Sequence, residues 1–174
     1  MNYDTIKEEI KDIDITLPPP QEEPERQYYF IKKLQHWMEL KKEEKGRELT
    51  CCVNTFGCQM NARDSEKIIG ILMTIGYKVV EDEDADLVIF NTCTVRENAN
   101  LKVYGRLGQL KKIKNKNPEM ITMLCGCMMQ EPEVVEKIKK SYRFVDIIFG
   151  THNIFKLAEL LCMRFEEKKM VVDI

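Results

Sequence analysis

Short apolar runs alternate with helical patterns along most of this chain, and that alternation constrains the fold more than any other feature. Residues 87–90 read Leu-Val-Ile-Phe, an unbroken apolar run that is typical of a strand covered on both faces. The pattern predicts strands over 49–54, 77–80, 86–91, 120–124 and 145–149, and helices over 62–75, 94–114, 132–140 and 153–164. Strands that alternate with helices predict an α/β domain: an open, mainly parallel sheet of about five strands with helices on both faces, flavodoxin-like or Rossmann-like.

Residues 1–48 differ in character and are predicted to be a charged extension of the domain at 49–174. They hold nine basic and twelve acidic residues, net −3, which leaves +1 for residues 49–174 because the whole chain carries −2. Leu17 is followed by three prolines, which cannot be helical and indicate an extended linker. We expect the first ~20 residues to be disordered and a helix to follow over 28–45.

The balance of charge excludes a chain that is basic throughout, so nucleic-acid binding would need a local patch. No apolar run approaches the ~18 residues that a membrane span requires, so we expect no membrane partner. The N-terminus carries Lys7, Glu8 and Glu9 without an apolar core, which is unlike a signal peptide. The sequence therefore predicts a cytoplasmic location, where disulfides are rare.

Seven cysteines in a reducing compartment need an explanation, and three of them share a topological position. Cys58, Cys93 and Cys127 each lie just past the carboxyl end of a predicted strand, 35 and 34 residues apart. Ligands of open α/β sheets bind at that edge. The sequence thus predicts that these three thiols converge on one site, the alternative being three unrelated buried cysteines.

Three converging thiolates make a soft-ligand site. Such ligands select zinc with an open fourth position, copper(I), or a [4Fe–4S] cluster with one iron free of protein ligand, and the residues alone leave these open. Gly57 and Gly126 precede two of the cysteines and would let the backbone approach a bound group closely. Of the other cysteines we assign Cys51, Cys52 and Cys162 to the core and leave Cys125 undecided.

A basic stripe covers residues 96–116, which hold seven Lys or Arg residues against one Glu. Such a stripe fits a phosphate backbone, and it fits a solvated helix face equally well.

The three cysteine motifs resemble those of the methylthiotransferases, a family of radical S-adenosylmethionine enzymes. They are Thr-Phe-Gly-Cys-Gln-Met-Asn at 55–61, Asn-Thr-Cys-Thr-Val-Arg-Glu-Asn at 91–98 and Cys-Gly-Cys-Met-Met-Gln at 125–130. The run at 102–108 and the Gln-Met-Asn after Cys58 are closest to the members that modify isopentenyladenosine beside the tRNA anticodon. The resemblance covers about residues 49–164.

The resemblance implies that Cys58, Cys93 and Cys127 hold an auxiliary [4Fe–4S] cluster. It implies an enzyme that uses S-adenosylmethionine to add a methylthio group to C2 of the adenine, with catalytic residues that it does not identify. The family's radical S-adenosylmethionine domain, with its second [4Fe–4S] cluster, and its C-terminal RNA-binding domain have no counterpart in these 174 residues. We therefore expect a domain that is inactive alone and whose partners are the rest of its own chain and tRNA, the latter through Arg106, Lys111, Lys112 and Lys114.

Three alternatives stay open. The first is the same domain in a methylthiotransferase that acts on threonylcarbamoyladenosine tRNA or on a ribosomal protein. The second is a three-cysteine zinc-binding structural module. A flavin-binding redox module is the weakest, because no phosphate-cradling loop follows the first strand. Five polar residues flank the site, and each would either contact the adenosine or tie down a loop: Gln59, Asn61, Asn91, Arg96 and Asn98.

Overall fold

The computed structural model of the chain describes residues 3–57, 59–94 and 97–174. Within these residues the helices are α1 (Tyr3–Ile10), α2 (Glu25–Lys45), α3 (Gln59–Ile75), α4 (Glu97–Lys116), α5 (Pro132–Ser141) and α6 (Leu157–Glu167). The strands are β1 (Thr50–Thr55), β2 (Lys78–Val79), β3 (Leu87–Thr92), β4 (Ile121–Gly126), β5 (Ile147–Phe149) and β6 (Val171–Asp173). Short 3₁₀ helices cover Cys127–Gln130 and Thr151–Lys156.

The strands form one parallel sheet in the order β2-β1-β3-β4-β5-β6. The predicted fold class is confirmed, with six strands in the described residues rather than about five. Every residue of β3 and β4 is buried, which explains the unbroken apolar run at 87–90. The additional strand is β6, a three-residue edge strand that pairs with β5 and was not predicted.

Helices cover both faces of the sheet, as predicted. On one face, α3 packs on β1 and β3, α6 packs on β5 and β6, and the two helices bury side chains such as Ile68, Leu72 and Leu161. On the other face, α4 packs on β3 and buries Val103 and Leu107, and Ile138 of α5 belongs to the same apolar cluster. The two faces thus form separate apolar clusters, and the site at the strand ends lies between them.

The start of the chain differs from the predicted disorder. The helix predicted over 28–45 is present as α2, and Trp37 stacks on Phe165 of α6 with ring centroids 4.3 Å apart. Helix α1 precedes it and buries Ile6 and Ile10 in the same apolar cluster. The Tyr29 hydroxyl, which donates to the backbone carbonyl of Leu17 at 2.8 Å, holds the intervening segment. Residues 3–48 therefore form an additional layer over α3 and α6.

Two buried aspartates fix the amino edge of the sheet. Asp86 precedes β3 and accepts hydrogen bonds from Arg47, at 2.7 and 2.9 Å, and from the backbone N–H of Thr50 at 2.8 Å. Burial opposes ionisation of Asp86, but these donors outweigh it and lower its pKa to about 2. Asp146 precedes β5 and accepts from the backbone N–H of Thr122 at 2.8 Å. Each carboxylate thus stabilises the start of its strand.

The described helices include none with the length and apolar character that crossing a membrane demands.

Candidate metal centre

The three predicted cysteines follow the carboxyl ends of three neighbouring strands. In the sheet, β3 lies between β1 and β4, and Cys93 and Cys127 are the residues that directly follow β3 and β4. Thr92 at the end of β3 pairs with Gly126 at the end of β4, so these two cysteines begin side by side. Cys58 follows β1 by three residues and lies outside the described residues.

The loop that leads to Cys58 contacts Cys93. A Cβ atom built on Gly57 would lie 2.4 Å from Cβ of Cys93 and 3.2 Å from its Sγ. Gly57 has a φ of +136°, a backbone conformation that side chains disfavour. Glycine is therefore the residue that lets this loop reach the buried Cys93 side chain.

A second glycine joins the strand ends. Gly126 has a φ of +100°, and a Cβ atom on it would lie 2.1 Å from the carbonyl oxygen and 2.7 Å from the nitrogen of Thr92. No side chain fits there without separating β3 from β4. This close approach is what places Cys127 beside Cys93.

Cys127 is partly exposed, and its Sγ lies 3.9 Å from Oγ1 of Thr151. Thr151 follows β5, the next strand of the sheet, so a fourth loop reaches the site. Thr151 was not among the predicted site residues, although the strand-end rule that selected the cysteines applies equally to the residue after Gly150.

Buried amides lie beneath the cysteine loops. The side-chain amide of Asn61 donates to the carbonyl oxygen of Thr92 at 2.9 Å. The side-chain amide of Asn91 donates to the carbonyl oxygen of Asn61 at 2.8 Å and to Oγ of Ser65 at 3.0 Å. Of the two roles considered for these asparagines, these contacts support tying down the loops.

The remaining cysteines are core residues in character. Burial raises the pKa of the Cys51 and Cys162 thiols to about 12 and raises that of Cys52 as well. Burial likewise raises the pKa of Cys125, which the sequence left undecided and which faces the apolar cluster under α3. At neutral pH these four stay protonated, and a protonated thiol is a poor metal ligand.

The residues present fit a thiolate-held group. Among the described residues no set of three His, Cys, Asp or Glu side chains is arranged around a metal position, and the third cysteine falls outside that part of the chain. The described geometry nevertheless supplies two soft donors on adjacent strand ends and two glycines whose missing side chains keep the backbone close. Three sulfur donors on such a frame suit zinc or an iron–sulfur cluster.

The comparisons with known proteins decide the family. Residues 50–150 match the uncharacterized protein family UPF0004, which is more than half of the chain and includes the three cysteine motifs. The chain belongs to this family.

Its relatives carry an enzyme name. Over 132 residues the chain is 69% identical to the tRNA-2-methylthio-N(6)-dimethylallyladenosine synthase of Lachnoclostridium phytofermentans, covering 76% of this chain and 29% of that protein. It is 51% identical over 154 residues to the protein of the same name in Acetivibrio thermocellus, covering 88% and 32%. The Clostridioides difficile protein of that name is 47% identical over 156 residues, covering 89% and 33%. The resemblance found in the cysteine motifs is confirmed, and the chain spans about a third of the length of these relatives.

Two of the four cations that were predicted to contact tRNA in this UPF0004 domain are engaged internally. Arg106 pairs with Glu83, and the largely buried Lys114 pairs with Asp146. Lys111 and Lys112 are exposed on α4. The two internal pairs fasten α4 to loops of the domain and leave Lys111 and Lys112 as the exposed members of the four, unengaged within the part of the chain that the structure describes. Contact of any of these residues with tRNA stays a prediction.

The UPF0004 domain also has a crevice of about 330 Å³ between α2 and α6, lined in part by Trp37, Lys45 and Arg164. It lies at the amino edge of the sheet, opposite the cysteines. Lys45 lies 3.2 Å from Glu119, and Arg164 lies 2.8 Å from Asp146. Because internal ion pairs occupy these charges, we assign the functional site to the cysteine edge.

Proposed function

We propose that this UPF0004 domain holds an auxiliary [4Fe–4S] cluster through Cys58, Cys93 and Cys127, as part of a longer cytoplasmic tRNA methylthiotransferase. That enzyme would use S-adenosylmethionine to add a methylthio group to C2 of isopentenyladenosine beside the anticodon. The observation that carries the proposal is the delivery of Cys93 and Cys127 from adjacent strand ends, with the Cys58 loop against Cys93. The names of the relatives support the reaction.

When bound, the cluster would supply one iron that has no protein ligand and can hold exchangeable sulfur. The chain's own contribution is placement. Three separate loops would each bring one sulfur, and the nearly complete burial of Cys93, at 4% exposure, shields its side from water. Cys127 stays partly exposed, so its side of the site would be accessible from solvent.

S-adenosylmethionine and a second [4Fe–4S] cluster would be bound by parts of the longer protein that lie outside this chain. The isolated domain is therefore proposed to bind its cluster without turning over substrate. For tRNA, Lys111 and Lys112 supply exposed positive charge on α4, which suits contacts to phosphates rather than to bases.

The test is anaerobic reconstitution of the 174-residue chain with iron and sulfide, followed by metal counting and an absorption spectrum. We expect about four irons per chain and a brown chromophore. Alanine at Cys58, Cys93 or Cys127 should abolish stable iron binding. Alanine at Cys125 or Cys51 is the matched control, because these variants should lose packing energy in the core and still bind the iron.

Folded wild-type protein that takes up stoichiometric zinc and no iron would replace the cluster with a structural zinc site. Loss of iron in Cys51→Ala together with full retention in Cys58→Ala would overturn the ligand assignment. The substrate is tested with the full-length enzyme, by identifying the modified nucleoside in tRNA. A product other than the methylthio derivative of isopentenyladenosine would place this domain in another branch of the family.

A further inference from the structure

Asn91 is the side chain on which the three cysteine loops meet. It lies in β3 two residues before Cys93 and is 1% exposed, so each of its polar atoms depends on a protein partner. Its amide nitrogen donates to the carbonyl oxygen of Asn61, which lies three residues after Cys58. A buried side chain that bonds so close to another ligand's loop affects where that ligand lies.

Asn61 returns the contact in the opposite direction. It lies in the first turn of α3 and is 4% exposed, and its amide donates to the carbonyl oxygen of Thr92, the residue before Cys93. Each asparagine therefore holds the backbone beside the other's cysteine. Two crossed bonds fix both the separation and the relative rotation of the two loops, which a single bond would not do.

The third loop touches the same amide group. A Cβ atom on Gly126, the residue before Cys127, would lie 2.8 Å from Oδ1 of Asn91. The backbone of the Cys127 loop therefore lies directly against the carbonyl side of Asn91, while the amide side bonds Asn61 and Ser65. One planar side chain thus contacts all three segments.

Only an amide of this length satisfies the arrangement. Asn presents two N–H donors and one oxygen in a plane, and both donors are used here. Aspartate has the same shape without donors and would direct a carboxylate at the carbonyl oxygen of Asn61. Alanine would remove the bonds and leave a void.

We propose that Asn91, together with Asn61, is a positioning residue that sets the spacing of Cys58, Cys93 and Cys127 for metal binding. This proposal rests on the three-cysteine site of the proposed function. It assigns neither asparagine a contact with substrate.

The test compares Asn91→Ala and Asn61→Ala with Thr122→Val in the 174-residue chain. Thr122 is also buried, at 1% exposure, and its hydroxyl bonds the carbonyl oxygen of Phe144 at 3.0 Å and Asp146 at 3.2 Å. It lies on β4 at the amino edge, away from the cysteines, so Thr122→Val matches the loss of buried hydrogen bonds. The measurements are the free energy of unfolding without metal, the rate of iron loss to a chelator after reconstitution, and the affinity for cadmium(II).

We expect both asparagine variants to lose iron and cadmium affinity by about tenfold or more, as is usual for groups that orient metal ligands. Thr122→Val should lose comparable stability and keep wild-type iron retention and cadmium affinity. If Asn91→Ala does not fold, Asn61→Ala carries the test, because it leaves the bond between Asn91 and Ser65 in place.

Equal metal retention in the asparagine variants and in Thr122→Val would overturn the positioning role. Cadmium separates this result from failure of the proposed function, because it binds three thiolates whether or not a cluster forms. Wild-type protein that binds cadmium but no iron, with affinity lost in the asparagine variants, would reject the cluster and support the positioning role.

Discussion

Replacing Gly126 by alanine tests the geometry of the strand ends directly. The backbone at Gly126, with φ +100° and ψ −177°, is in a region that is essentially restricted to glycine and costs another residue about 1–3 kcal/mol. The added Cβ would also lie 2.1 Å from the carbonyl oxygen of Thr92, more than ~1 Å inside a normal contact. Relieving that clash requires the ends of β3 and β4 to separate, at a cost of about 1–3 kcal/mol. We expect Gly126→Ala to lower the free energy of unfolding by about 4 kcal/mol.

The assay is urea unfolding of the metal-free chain, with two glycines as controls. Gly105 lies in α4, and a Cβ atom added there would have no neighbouring atom within 4 Å, so Gly105→Ala should stabilise the chain by about 0.5–1 kcal/mol. At Gly150 the nearest atoms would lie 3.6 Å from a Cβ, so Gly150→Ala should change stability by less than about 0.5 kcal/mol. A Gly126→Ala chain within about 1 kcal/mol of wild type would refute the described contact between the strand ends.

Four further predictions concern parts of the domain away from the cysteines. The pKa of Asp86, about 2 when folded, lies below its ordinary 3.8, so Asp86 stabilises the fold by about 2 kcal/mol above pH ~4. That contribution should vanish as the pH falls towards 2, and unfolding curves of Asp86→Asn should lack this pH dependence. Neutralising Lys111 and Lys112 with glutamine should weaken tRNA binding by the full-length enzyme and reduce its salt slope by about 1–2, whereas an unchanged slope would make them solvated surface charges. Lys114→Gln should instead lower the free energy of unfolding, because its partner stays buried. Trp37→Ala should cost about 2–3 kcal/mol of stability, measured by urea unfolding, and wild-type stability would mean that α2 contributes little.

The elements of the sheet were predictable because their signals are local. An apolar run such as 87–90 predicts a buried strand without reference to any distant residue. The five predicted strands begin and end within two residues of the observed bounds. The cysteine edge followed from topology, since a parallel sheet collects the ends of its strands. Cys93 and Cys127 lie where that rule placed them.

What could not be predicted depends on partners far along the chain. Arg106 and Lys114 look like members of one basic stripe, but Glu83 and Asp146, 23 and 32 residues away, neutralise them. Helix α1 is short and charged, and the burial of Ile6 and Ile10 becomes favourable only once α2 and α3 have packed.

The distribution of the three cysteines over three strand ends has a consequence for chain entropy. A group held by all three sulfurs would act as a covalent staple that closes two consecutive loops, from Cys58 to Cys93 and from Cys93 to Cys127. By the loop-closure relation for cross-links, each loop of ~35 residues removes about 3–4 kcal/mol of conformational freedom from the unfolded chain. The three cysteines follow three different strands, so no single local segment of the chain contains all of them. Binding of a metal or cluster by all three cysteines would therefore require that β1, β3 and β4 had assembled. The domain with the group bound would be more stable against unfolding than the same chain without it.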